Sequence, residues 1–196
     1  MERQVMWSPW MGPGLEHLRL LQRREDIVAD GLILGMKEQT PFRVRYEIHC
    51  DLQWRVRVVQ LGLLDGSSHS LHFFTDGAGN WTIESGKALP LLKGCLDVDI
   101  SATPFTNTLP IRRLALQPGS SATLSMAYFS IPQMHVEVTQ QRYTCLEITS
   151  SGGRYRFESL VDEVSHFTAE LPVDQDGLVL DYPELFRRVG TWVSTA

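Results

Sequence analysis

The chain has 196 residues and a formal net charge of −5 from 18 basic and 23 acidic side chains, and 43% of it is hydrophobic. That length supports a sizeable core, the composition excludes disorder and collagen-like repeats, and the acidic balance argues against nucleic acid as a partner, because clustered Lys and Arg supply most of that affinity. No apolar run approaches the roughly 20 residues of a membrane span, the N-terminus lacks an export signal, and three widely spaced cysteines (Cys50, Cys95, Cys145) form no CxxC, so the chain reads as cytoplasmic with reduced thiols.

In chain order, the first ambiguous stretch is 15–29. Leu15, Leu18, Leu21 and Val28 would line a helix, but Gly12-Pro13-Gly14 and Asp30-Gly31 bracket the segment as turns do, and strands are the better reading. Phe42, Val44, Tyr46, Ile48 and Cys50 alternate with Arg43, Arg45, Glu47 and His49, the pattern of a strand with one buried face. The next run sets Leu52, Trp54, Val56 and Val58 against Gln53, Arg55 and Arg57 in the same way. Asp65-Gly66-Ser67-Ser68 reads as a turn, and 71–75 with 81–84 as a hairpin around Asp76-Gly77-Ala78-Gly79-Asn80. Further strands are expected over 96–100, 111–116, 122–131, 135–141, 143–149, 154–160, 166–173 and 177–180, separated by breaks carrying Pro or Gly. A helix is predicted from Asp181-Tyr182-Pro183 onward. Pro suits the first helical position, and Leu185, Phe186, Val189 and Val193 recur at helical spacing. No linker divides the chain, so residues 1–196 read as a single, mainly β domain.

Several groups have the chemistry for a site. Asp97 and Asp99 are two apart on an expected strand, so both carboxylates face one way. They would suit acid/base work or a hard cation, against the simpler reading that each caps the turn at Thr103-Pro104 or pairs with Arg112 or Arg113. Thr106, Asn107 and Thr108 sit in a Pro-bounded loop with hydroxyl and amide groups suited to sugar hydroxyls or to the local backbone. Fifteen of the 18 basic side chains are Arg. Arg43, Arg45, Arg55 and Arg57 would share one sheet face, which suits an anionic headgroup but equally a solvated surface of cross-strand ion pairs. Trp54 and Tyr143 could stack on a sugar or belong to the core. No GxSxG, HExxH or P-loop is present, and nothing points to a metal or cofactor.

The segment from Gly94 through Cys95-Leu96-Asp97-Val98-Asp99-Ile100 and Thr103-Pro104-Phe105-Thr106-Asn107-Thr108-Leu109-Pro110 to Leu114 is specific. With Cys50-Asp51-Leu52-Gln53-Trp54-Arg55, Gln141-Arg142-Tyr143, Tyr155-Arg156-Phe157-Glu158 and 176–183, it resembles the glycolipid-binding family, a former domain of unknown function. The likeness runs from about residue 12 to about residue 190. It implies a spiral β-roll: a long curved antiparallel sheet wrapped around a single helix, similar to lipoprotein-carrier half-barrels, and a homodimer. Fold alone does not carry function.

From the resemblance and the alternating strand faces, the expected function is non-catalytic binding of a glycolipid or other amphiphile. Phe42, Val44, Trp54 and Val56 would meet the tail. Trp54, Arg55, Asp97, Asp99, Thr106, Asn107, Thr108, Arg112, Arg113 and Tyr143 form the candidate ligand-binding set. The alternatives are a hydrolase of glycans or lipid esters using Asp97 and Asp99, and a structural homodimer without a small-molecule ligand.

Overall fold

Alternating apolar and polar side chains build two sheets in the computed structural model, which describes residues 1–66 and 69–194. The larger sheet comprises β1 (Glu2–Pro9), β2 (Leu15–Gln22), β3 (Ile27–Lys37), β4 (Thr40–Cys50), β5 (Val56–Leu63), β6 (Ser70–Thr75) and β7 (Trp81–Ile83), extended by β13 (Asp181–Tyr182) and β14 (Phe186–Ser194). Its order is β13-β14-β1-β2-β3-β4-β5-β6-β7, and its pairings are antiparallel. The smaller sheet comprises β8 (Asp97–Ile100), β9 (Ser121–Ser130), β10 (His135–Thr149), β11 (Gly152–Val161) and β12 (Val164–Asp174), ordered β12-β11-β10-β9-β8. Only its β8–β9 pair runs parallel.

Between β8 and β9 the chain makes a 3₁₀ turn (Phe105–Asn107) that continues into α1 (Thr108–Leu114). Every residue from Thr103 to Ile111 is buried, and this segment touches both sheets. The Phe105 ring stacks on Tyr46 of β4 with centroids 6.2 Å apart, while Asn107 accepts a hydrogen bond from Tyr143 of β10. The protein is therefore mainly β, with one short α-helix among the described residues, held between sheet faces.

Several expectations change. Residues 111–116 are not a strand: Ile111 to Leu114 lie in α1, which ends at Ala115 in a left-handed conformation (φ 46°). Arg112 and Arg113 are consequently helical neighbours instead of alternating strand residues. Thr106, Asn107 and Thr108 are likewise not an open loop but the start of the buried helical segment. The helix predicted after Asp181 is absent; β13, a turn and β14 stand there, with β14 pairing along β1. Val189, Thr191 and Val193 are β-branched, and a backbone partner in β1 decides in favour of the strand. The positions chosen by helical spacing, Leu185, Val189 and Val193, remain exposed.

Asp30-Gly31 is not a turn but mid-strand in β3. The strand expected from Leu52 begins at Val56, because Asp51 accepts hydrogen bonds from the Gln53 and Arg55 amides and Trp54 adopts φ 63°. A register shift beside Cys50 then puts Val59 and Leu61 inward with Val56, leaving Val58 half-buried. The two strands expected over 135–149 are one, β10, and 177–180 contributes only an isolated bridge from Val179 to Val173. Of the turn expected at 65–68, Ser67 and Ser68 lie outside the described residues.

Gly31 shows how a small residue shapes the interior. It faces Tyr46 across the β3–β4 pair, and a Cβ there would collide with the Tyr46 ring, the close approach that a strand glycine permits. Gly31→Ala is expected to cost about 1–3 kcal/mol by overpacking. Chemical denaturation would read this, and an unchanged midpoint would show that the ring does not need that space.

Candidate functional site

Two adjoining clefts flank the chain leaving β8, the first at the ends of β1, β2, β3 and β14 and the second against β9, β10, β11, β12 and β13. The first, about 280 Å³, is predominantly apolar, walled by Met11, Leu34, Met36, Phe42, Ala102 and Ile131, with Glu16, Lys37 and Ser101 as its polar side chains. The second, about 490 Å³, has more polar side chains in its lining, Asp99, Thr103, Asn107, Glu137, Thr139 and Gln141 among them, together with the rings of Tyr128, Phe157, Phe167, Tyr182 and Phe186. Ser101, Leu185 and Phe186 line both.

Glu16 is the unexpected member. It lies on β2 in phase with buried Leu18 and Leu20 and is only 3% exposed. Its Oε1 accepts the Tyr46 hydroxyl at 2.6 Å and the Thr103 hydroxyl at 2.7 Å, while its Oε2 is buried without a partner. Burial outweighs the two hydrogen bonds and pushes the carboxyl up to about 7. Burial and the neighbouring Glu16 together push the Tyr46 hydroxyl well above its ordinary value.

Asp99, half-buried on β8, lines the second cleft. It accepts Thr106 Oγ1 at 3.0 Å and Gln141 Nε2 at 2.7 Å, and burial raises its carboxyl against those two bonds. Tyr143 donates its hydroxyl to Asn107 Oδ1 at 2.9 Å and lies 3.3 Å from Gln141 Oε1. Asn107 Nδ2 donates to the Pro104 carbonyl. Asp99, Thr106, Asn107 and Tyr143 thus form one network, joined by Gln141 from β10. Of the four, Asp99 and Asn107 border the cleft.

The remaining candidates stand apart from it. Asp97, with 1% of its side chain exposed, accepts Arg113 Nε at 3.0 and 3.1 Å and also Arg113 Nη2. The two aspartates therefore have separate partners. Thr108 Oγ1 donates to the Gly177 carbonyl at 2.9 Å, tying α1 to the chain before β13. Trp54 is buried under the Arg112 guanidinium, 5.3 Å from its ring centroid. Arg55 is exposed and binds Asp51, and Arg57 also reaches Asp51, at 2.9 Å. Arg45 pairs with Asp30, so three of the four arginines expected to share a cationic face are ion-paired. Of the four side chains expected to meet a tail, only Phe42 lines the apolar cleft; Val44, Trp54 and Val56 belong to the closed core.

Glu16, Tyr46 and Gln141 were not picked out as site residues from sequence. Glu16 did carry a signal, since a carboxylate in phase with Leu18 and Leu20 falls on the buried face of a strand. Gln141 carried a similar one, two residues before Tyr143 and four before Cys145 on the inward side of β10.

Comparisons with known proteins fit this architecture. No curated protein matches the chain. Its structure is similar to the crystal structure of a DUF1089 family protein from Pseudomonas aeruginosa, with a TM-score of 0.76 and 35% identity over 92% of this chain and 95% of that one. The model of the family described as "Putative glycolipid-binding" matches residues 4–188, and the chain belongs to that family.

Proposed function

We propose that the protein binds an amphiphile, a glycolipid or a similar acyl-bearing molecule, and carries out no covalent chemistry on it. One observation carries this reading: a cleft walled mainly by apolar side chains adjoins a larger one where carboxylate, amide and hydroxyl groups stand among aromatic rings, and the two share Ser101, Leu185 and Phe186. An alkyl chain fits the wall of Leu34, Met36, Phe42 and Ile131. A sugar fits the second cleft, where Asp99, Asn107 and Gln141 offer hydrogen-bonding groups and Tyr128 and Tyr182 offer ring faces. The volume of the second cleft lies within the roughly 300–1,000 Å³ of small-molecule sites. The family membership supports the same ligand class. Asp97 is held by Arg113, so it does not stand with Asp99 as the free carboxylate pair that a hydrolase would use.

Calorimetric titration with n-decyl glucoside below its micellar concentration tests the proposal. Saturable binding with one molecule per chain is expected. Ala102→Trp, which fills the apolar cleft from its wall, is expected to weaken binding about tenfold or more while thermal unfolding stays cooperative; one factor of ten corresponds to about 1.4 kcal/mol. Failure of both decyl glucoside and decyl maltoside to bind, together with no amphiphile in organic extracts of the purified protein, would sink the reading.

A further inference from the structure

A buried polar atom without a partner calls for an explanation, because burial takes away its hydrogen bonds to water and nothing replaces them. Glu16 Oε2 is such an atom. Its sister oxygen is used by the Tyr46 and Thr103 hydroxyls, so the side chain is held from two sides while one oxygen remains buried and unpaired. The position is also special. Glu16 lines the apolar cleft, whereas Thr103, hydrogen-bonded to it, lines the second cleft, and Ser101 lines both. Glu16 therefore stands at the seam between the tail region and the head region.

We propose that Glu16 is the polar anchor of the amphiphile site, its Oε2 pairing with the ligand hydroxyl closest to the junction of head and tail. This rests on reading the two clefts as an amphiphile site. A hydroxyl suits the position better than an ammonium group, because it donates to a carboxylate and accepts from a carboxylic acid, and so pairs with either form. An ammonium would bring a second charge into an apolar wall, with a desolvation penalty that one ion pair does not reliably offset. Lys37, the cation lining this cleft, donates instead to Gln133 at 3.2 Å. Glu16 would act by touching ligand, and Tyr46 and Thr103 would act through it as positioning residues.

The test compares n-decyl glucoside with its per-O-methylated derivative, which keeps the tail and has no hydroxyl to donate. The wild-type protein is expected to prefer the glucoside. Glu16→Leu is expected to reduce that preference about tenfold, the size of a hydrogen bond to a charged or polar anchor, while binding the methylated derivative within about twofold of wild type. Glu16→Gln, which retains an oxygen for Tyr46 and Thr103, is expected to lose a few-fold. A crystal structure of the wild-type complex should place one sugar hydroxyl within hydrogen-bonding reach of Oε2. An undiminished preference in both variants would overturn the anchor role and leave the amphiphile reading standing, as would a complex in which every hydroxyl lies out of reach of Oε2. Tighter binding of decylammonium than of the glucoside, lost in Glu16→Gln, would replace the hydroxyl by a cation. Binding of no probe at all would overturn both the anchor and the reading beneath it.

Discussion

Replacing Arg113 by Ala is expected to cost about 3–5 kcal/mol of stability at pH 7, because it removes the partner of a carboxyl that has no access to water. Asp97 has 1% of its side chain exposed and Arg113 has 13%. Burial holds the Asp97 carboxyl above its ordinary value even with the guanidinium opposing it. Without Arg113 that carboxyl must either stay charged in the core or take up a proton. The loss is therefore expected to be smaller at pH 4 than at pH 7. The pair joins β8 to α1, and so sets how the helical segment lies beside the sheet edge. Replacing both residues, Asp97→Leu with Arg113→Met, is expected to recover most of the loss, since an apolar pair avoids the desolvation that an ion pair must offset. Guanidinium chloride unfolding of the wild type and the two variants measures this. A loss below 1 kcal/mol for Arg113→Ala, or a double variant no better than the single, would show that the pair contributes little.

Glu16 is expected to give the protein a stability that declines as pH rises across neutrality. Its carboxyl titrates near 7 when folded, against an ordinary value of 4.5, so between these values the folded state holds a proton that the unfolded state has released. Stability contributed by this group is complete below about pH 4.5, falls as pH rises, and is lost above about pH 7. The total is about 3 kcal/mol. The groups facing the carboxyl directly are the Tyr46 and Thr103 hydroxyls, and Tyr46 does not titrate in that range. Asp97 and Asp99 are raised in the same direction, which makes the difference between wild type and Glu16→Gln the informative quantity. In urea unfolding at pH 5 and pH 8, the wild type should lose about 2.5 kcal/mol more than the variant does. Equal slopes for the two proteins would mean that Glu16 is not held protonated by burial.

Both residues show how far the chain could be read before its fold was known. The pairing of Asp97 with an arginine of the 112–113 dipeptide was one reading available from charge alone. Choosing Arg113 over Arg112 required the helix, because on a strand the two would point oppositely, whereas in α1 they diverge by about 100°. That helix was invisible because its seven residues, Thr108 to Leu114, include Pro110 and are too short to show a 3.6-residue period. The converse error occurred at 181–194, where Leu185, Phe186, Val189 and Val193 mimic a helical stripe. There, pairing with β1 overrode the spacing. The arginine excess was legible for what it is. Arg19, Arg45, Arg142 and Arg154 are cross-strand ion-pair partners on the sheets.

The sequence by itself determined a mainly β chain, the inward face of β4, the β6–β7 hairpin and the family, because two-residue alternation and short specific motifs are local properties. The tertiary structure decided which of those residues meet. Glu16, Tyr46 and Thr103 lie on three separate stretches of chain, and β2–β3–β4 pairing and the path of the segment after β8 bring them together. Asp99, Asn107, Gln141 and Tyr143 converge because β10 crosses that same segment. Burial makes Glu16 hold its proton to about pH 7, and burial depends on every element packed around a side chain rather than on its neighbours in sequence.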